Sequence, residues 1–384
     1  MNIFIDARLL TSGHTSGIEE YTRLLINALV RHNDPSHTYT LFYNGFKKPP
    51  APKEWAKNER VHVIETNIPN RILDASIRFF GWPTVHNFAD ADIVLSPHFN
   101  LLKVPRGMGH VLTIHDLSFI HYRDSFSLRK RLWHWQQNYL RSVRRAHRIV
   151  TLAHFTKYDI ANTFHIPEEK ISVIYPGVNP FYTARDVRSD EHKGFLRVHG
   201  LQGPFILFVG TLEPRKNIPL LIRAFSTMKE RSVHHDLKLV IAGRKGWLCD
   251  TIFKEAARSS YASQIMFWGP ASYEDLAHLY TAARACVYPS FFEGFGFPPL
   301  EAQQCGTPVI VSNRTTLPEV MGNSGLLVNP TSVDELVMGL ESLLGSETLR
   351  KEYIERGFKN AARFSWEKTA QATLKIFESL LQKK

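Results

Sequence analysis

Short apolar, β-branched runs that lack strict alternation constrain this chain more than any other feature. In the first half they read NIFIDAR, YTLFYN, VHVIET, IVLSPHF, HVLTIHD, RIVTLAH and ISVIYPG; in the second, FILFVGT, LKLVIAG, IMFWG, ACVYPS, PVIVSN and GLLVNP. A strand covered on one face alternates, whereas a strand covered on both faces becomes continuously apolar. Between the runs, EEYTRLLINALVRH, NIPLLIRAFSTMKER, YEDLAHLYTAA and VDELVMGLESLL read as covering helices. The pattern predicts α/β layers built on doubly wound parallel sheets. At 384 residues, 43% of them hydrophobic, the chain exceeds one ordinary core, so two Rossmann-like domains are expected. The alternation breaks at residues 179 to 204, NPFYTARDVRSDEHKGFLRVHGLQGP, a charged stretch without a clear strand. It divides an N-terminal domain, residues 1–185, from a C-terminal domain, residues 186–365. The tail SWEKTAQATLKIFESLLQKK reads as a last amphipathic helix.

Charge and cysteine usage narrow the setting. The net charge of +11 is concentrated in SLRKRLWHWQQNYLRSVRRAHRIV, residues 127 to 150, which contains no acid. Such a field suits an anionic membrane surface or a phosphorylated substrate. The competing reading is an ordinary amphipathic helix with Leu132, Trp135, Tyr139 and Val143 turned inward. No RNA-binding signature is present, so no nucleic-acid partner is expected. Three cysteines without CxxC spacing suggest free thiols in a reducing compartment. Asp6 and Arg8 fall too early for a signal peptide, and no run approaches the ~18 apolar residues of a membrane span. The expectation is a cytoplasmic protein, peripheral at the inner face of the membrane.

In open parallel sheets, ligands sit beyond the carboxyl ends of the strands, so those loops carry the candidate chemistry. FILFVGTLEPRKNIPLLIRAF predicts a strand ending at Val209 and a helix starting near Asn217. Gly210, Glu213, Arg215 and Lys216 lie between. Two cations before a helix N-terminus add to a positive pole, an arrangement that a phosphate would relieve. Alternatively both point into solvent. The second loop is ACVYPSFFEGFGFPPLEAQQCG. Gly294 and Gly296 allow close backbone approach, and Pro298 or Pro299 suits a first helical turn. Glu301, read as lying in that turn, could accept hydrogen bonds from vicinal hydroxyls, though a helix start favours an acid anyway. Glu293, in the loop, could hold a sugar hydroxyl or a developing charge. Nearer the N-terminus, Gly13 and Gly17 lie between a strand and a helix in a loop that matches no named phosphate fingerprint. His115 and Asp116 end a strand. Asp90-Ala91-Asp92 precedes a strand, at the end away from a ligand, and reads as structural. No run has metal-ligand spacing.

Taken together, SGHTSGIEEYTRLL, TIHDLSF, VTLAHFTKYDIA, VIYPGVNPFY, FVGTLEPRKN, EGFGFPPLEA and CGTPVIVSNRTTLPEV resemble the retaining glycosyltransferase family four, whose fold is GT-B. The resemblance spans nearly the whole chain and rests most on Glu293 and Glu301 in their shared motif. It implies two domains facing across a cleft, with the final helix, 366–384, returning to the N-terminal one. It implies a nucleotide-diphosphate sugar as donor and no cofactor or metal. Arg215 and Lys216 are expected on the diphosphate and Glu301 on ribose. Glu293 and the backbone at Phe295, Gly296 and Phe297 are expected on the donor sugar. Gly13, Gly17 and Gly210 would border the donor, and His115 the transferred sugar. Glu20 departs from the family pattern.

EPRKN, AGRKGW and EGFGFPPLEA look most like the mannosyltransferase branch, implying GDP-mannose, although UDP-sugar enzymes share most of these residues. Trp247 and Phe267 lie in segments suited to flank the base, Phe267 equally to the core. The expected acceptor is a saccharide or lipid-linked saccharide of cell-surface polysaccharide, held near NRILDASIRFFGWP. Two other classes stay open at this point. A sugar-nucleotide epimerase or a phosphorylase would not release nucleotide diphosphate on incubation with donor and acceptor. A non-catalytic basic protein would bind surfaces with no turnover.

Overall fold

The computed structural model describes residues 1–12, 17–32, 35–45, 49, 51–123, 128–231 and 235–382. Two compact units emerge. The first comprises Met1–Phe119, Leu128–Gly177 and Ser365–Lys384, and the second Ile120–Ser127 and Val178–Phe364. The change of unit falls at Gly177, earlier than residue 185. Beyond it Val178 is already bonded to the Phe364 carbonyl, and Tyr182 is buried against Tyr280 at 5.6 Å.

Each apolar run is a strand. In the first unit these are β1 Asn2–Asp6, β2 Thr38–Asn44, β3 Val61–Thr66, β4 Ile93–Ser96, β5 Gly109–Ile114, β6 Arg148–Thr151 and β7 Ile171–Val173. They form one parallel sheet of order β3-β2-β1-β4-β5-β6-β7. The second unit holds β8 Phe205–Val209, β9 Lys238–Ala242, β10 Ile265–Gly269, β11 Ala285–Tyr288, β12 Val309–Ser312 and β13 Gly325–Val328. Their order is β10-β9-β8-β11-β12-β13, again all parallel. Every residue of β4, β5, β8, β11 and β12 is buried, which explains why these runs lack alternation; edge strand β3 alternates in part.

Both orders reverse direction beside their first strand. The switch lies between β1 and β4 in one unit and between β8 and β11 in the other, where such sheets open a crevice beyond the strand ends. The linker contains a helix that the sequence reading lacked, Asp190–Val198, started by the Ser189 side chain accepting from the His192 amide at 3.2 Å. The last helix, Trp366–Leu381, belongs to the first unit. Tyr21 packs on Trp366 at 5.6 Å and Thr369 donates to the Tyr175 carbonyl at 2.8 Å. Asp92 accepts from the Asn2 amide at 2.8 Å and so ties the amino end of β1, while Asp90 pairs with His86 on the surface. No helix among the described residues is long and apolar enough to cross a membrane.

Candidate active site

In the second unit the loops after β8 and β11 meet at the switch point. After Gly210 the chain runs to a tight turn, Pro214–Lys216, which ends on Asn217 in a left-handed conformation (φ 54°) before the helix Ile218–Arg231. The Asn217 side chain donates from Nδ2 to the carbonyls of Pro289 and Pro330 at 3.1 and 2.7 Å, which fastens this turn to the β11 loop. A second fixed point lies beside it. A Cβ on Gly243, after β9, would stand 1.9 Å from the Gly210 carbonyl oxygen, so only glycine lets the two strand ends approach.

Within this frame Arg215 and Lys216 do not point into solvent. Lys216 is buried, and its Nζ donates to Glu293 Oε1 at 2.7 Å and to the Tyr288 hydroxyl at 2.6 Å. The Arg215 guanidinium donates to Glu213 Oε1 from Nε and Nη2, at 3.1 and 2.7 Å. Its Nη1 donates to Glu293 Oε2 at 3.2 Å and to the Phe292 carbonyl. Two cations thus face two acids in a nearly dry cluster. Burial by itself would raise the Glu293 carboxyl, but Lys216 and then Arg215 outweigh it and hold the group below its ordinary value. Burial also lowers Lys216, against the pull of Glu293. Lys216 keeps a third N–H beyond the two bonds described.

The backbone carrying Glu293 is clamped from β12. The Glu293 amide donates to Thr315 Oγ1 at 3.1 Å, and Thr316 Oγ1 donates to the carbonyls of Glu293 and Phe295 at 3.0 and 3.4 Å. Phe295 is buried, 5.5 Å from Phe364. Gly296 caps the helix Phe297–Gln304 at φ 102°, and an added Cβ there would stand 2.7 Å from Leu317 Cδ2. Glu301 is not in the first turn, which contains no acid, so the ordinary preference for a carboxylate at a helix start does not account for it. It is buried one turn further on and accepts from the Tyr280 hydroxyl at 2.8 Å. Burial and then Glu301 keep that phenol protonated as the donor.

Gly17 and His115 belong to the first unit, and Gly13 lies outside the described residues. Gly17 begins the helix Gly17–Arg31. His115, just past β5, is buried, with Nε2 2.8 Å from the Pro97 carbonyl and the Tyr21 ring edge-on at 4.7 Å. A carbonyl only accepts, so Nε2 carries the proton, and the neutral ring presents Nδ1 as an acceptor. Burial lowers its pKa and keeps the ring neutral. Asp116 accepts from the Ser118 amide and hydroxyl at 2.9 and 2.7 Å and thereby starts a short helix.

Glu213, Tyr288, Tyr280 and the Thr315–Thr316 pair were absent from the sequence-level candidates. Glu213 had one legible signal, its position two residues before Arg215. The tyrosines had none, because each acts through a partner from a different strand or helix. Trp247 and Phe267 are half-buried, and Phe267 packs on Phe253 at 4.8 Å.

Comparison with known proteins places this geometry. Residues 196–360 match the family model "Glycosyl transferases group 1" and residues 15–180 match "Glycosyltransferase Family 4". The chain is 34% identical to O-antigen chain mannosyltransferase B of Escherichia coli over 272 residues, 70% of each protein. It is 31% identical to O-antigen chain mannosyltransferase RfbU of Salmonella typhimurium over 277 residues, again 70% of each. The crystal structure of Anabaena Alr3699/HepE in complex with UDP-glucose superposes with a TM-score of 0.73 at 17% identity, over 99% of this chain and 100% of that one. Two doubly wound parallel sheets, with the ion cluster at the switch point of the second, therefore belong to a GT-B glycosyltransferase, and the chain is a member of the group 1 and family 4 glycosyltransferases.

Proposed function

We propose that this glycosyltransferase moves mannose from GDP-mannose to a saccharide or lipid-linked saccharide of cell-surface polysaccharide, with retention at the anomeric carbon and without a metal ion. The observation that carries the reading is the buried cluster of Arg215, Lys216, Glu213 and Glu293 at the ends of β8 and β11. Breaking the bond between the sugar and the nucleotide places negative charge on the departing diphosphate. Fixed cations in a water-poor site stabilise that charge strongly, because they need no reorganisation as it develops. Lys216 and Arg215 supply it, while Glu213 and Glu293 hold both side chains in place and keep each one's charge compensated. Glu293 and the backbone at Phe295 to Phe297 orient the donor sugar, and Glu301, fixed by Tyr280, takes the ribose hydroxyls. Gly13, Gly17 and Gly210 border the donor. His115 offers its neutral Nδ1 to a sugar hydroxyl. The acceptor oxygen attacks on the face the diphosphate leaves, passing its proton to a diphosphate oxygen. The mannose assignment draws on the two O-antigen mannosyltransferases.

The test is a thermal-shift screen of GDP, UDP, ADP and their sugars, followed by turnover in the presence of a chelator. GDP-mannose is expected to raise the melting temperature through linkage. GDP release is expected to require acceptor, to survive the chelator and to give a product of unchanged anomeric configuration. A shift with UDP-sugars alone moves the donor to the class seen in the Anabaena complex. A trapped covalent glycosyl-enzyme overturns the same-face attack.

A further inference from the structure

The helix Asn70–Phe80 in the first unit is apolar on both sides. Leu73 and Ile77 enter the core with Phe4, Phe42 and Val85. Ile72 and Phe79, seven residues apart, project from the opposite face, and Phe79 is 69% exposed. Phe80 is 83% exposed, and Trp82, past the left-handed turn at Gly81 (φ 67°), is 61% exposed.

The same surface continues onto the helix Leu128–Gln137. The Arg78 guanidinium lies over the Trp135 ring at 4.4 Å and donates to the Trp135 and Gln136 carbonyls. Periodicity had turned Leu132, Trp135, Tyr139 and Val143 inward as one stripe. Only Val143 is fully buried; Leu132 and Trp135 are each 64% exposed. The stripe fails because the chain breaks at Asn138 (φ 50°) before the next helix, Tyr139–Arg145. Among the described residues, four of the six exposed large aromatics (Phe79, Phe80, Trp82 and Trp135) lie on this surface, a concentration unlike scattered surface apolar residues.

Its charge is one-sided. Arg71 is exposed on the first helix, and the Lys103 ammonium reaches within 3.7 Å of where a Gly81 side chain would begin. Between residues 67 and 89 the one acid is Asp74, which is buried against Arg8 and Gln137. No acid occurs from residue 127 to residue 150.

We propose that this face seats the protein on an anionic lipid bilayer, with Ile72, Phe79, Phe80, Trp82, Leu132 and Trp135 entering the boundary between headgroups and acyl chains while Arg71 and Lys103 meet lipid phosphates. Aromatic bodies at the interface with cations beside them, on two helices that carry no exposed acid, are what such a surface selects. The proposal depends on the first unit alone and stands whether or not the donor assignment holds.

The experiment is co-sedimentation of the full chain with vesicles of phosphatidylcholine and phosphatidylglycerol in equal parts, against phosphatidylcholine alone. Preferential binding to the mixed vesicles is expected. The Phe79→Ser, Phe80→Ser, Trp82→Ser triple variant should bind roughly tenfold or more weakly at any salt concentration. Arg71→Gln with Lys103→Gln should lose about fivefold per charge at low salt, and the difference should vanish at high salt. All five positions lie on the surface, so an unchanged melting temperature shows that the variants are folded. The idea is overturned if the wild type ignores anionic vesicles or if the aromatic variant binds as well as the wild type. It is equally lost if sedimentation shows a dimer, with no vesicle binding, that the aromatic variant dissolves; the face would then pair two copies of the chain.

Discussion

Lys216 meets Glu293 where almost no water reaches either, so each depends on the other. Replacing Lys216 with Met leaves Glu293 buried with Arg215 as its remaining cation. Unfolding by urea near neutral pH should show a loss of about 3 kcal/mol, the scale of a buried pair broken on one side. Adding Glu293→Gln should return part of it, since the uncompensated charge is then gone. Turnover in the single variant should fall by roughly 10²–10³, as for other fixed donors to a developing negative charge. The acid limb follows from the sign of the shift. The folded carboxyl of Glu293 lies below its unfolded value, so its contribution is present above about pH 4.5 and is lost as pH falls through the folded value. In Lys216→Met that loss should be smaller, because without the leading counter-charge the folded value moves back toward the unfolded one. At this scale the sequence showed which residues carry charge but not their pairing. Arg215, Lys216 and Glu293 were legible as candidates, whereas a mutually neutralising cluster with Glu213 and Tyr288 required two strands to be laid side by side.

Among the elements, the helix Trp366–Leu381 has the largest consequence for its size. It lies last in the chain, yet Ala370, Leu374 and Phe377 are buried in the first unit, and a Cβ on Gly177 would stand 2.3 Å from the Trp366 amide. Truncation after Phe364 removes the burial of Leu374 and Phe377, worth about 3–6 kcal/mol in all. It should lower the unfolding transition of the first unit and leave that of the second in place, which calorimetry can resolve if the units unfold separately. Equal shifts in both would contradict this assignment. Strand positions were readable throughout because burial on both faces imposes its own composition. Helices were less so. Asp190–Val198 is short and charged, with no apolar stripe long enough to signal it, and the break at Asn138 is a single left-handed residue inside an unbroken basic pattern.

Over the whole molecule, buried histidines tie stability to acidity. His98 and His110 are pushed down to about 4 by burial, and His115 is lowered for the same reason. A folded value below the unfolded one, near 6.5, means that stability is full above about pH 6.5 and drains as the pH falls toward 4, while the unfolded chain takes up protons the folded one refuses. By pH 5 each of His98 and His110 should have withdrawn about 2 kcal/mol. His110, whose ring nitrogen meets Ser96 Oγ at 3.1 Å, offers the test. His110→Gln should flatten the decline in melting temperature between pH 7 and pH 5, and an unchanged slope would refute the assignment. What the sequence determined by itself was the architecture: strands dictated by two-sided burial, two sheets, and strand-end loops rich in glycine and charge, all consequences of local composition. The tertiary structure alone decided which charges face one another, that Glu301 is a buried acceptor for Tyr280 rather than a first-turn acid, and that Leu132 and Trp135 face outward. Each of those outcomes depends on packing between segments far apart in the chain, which composition and period do not encode.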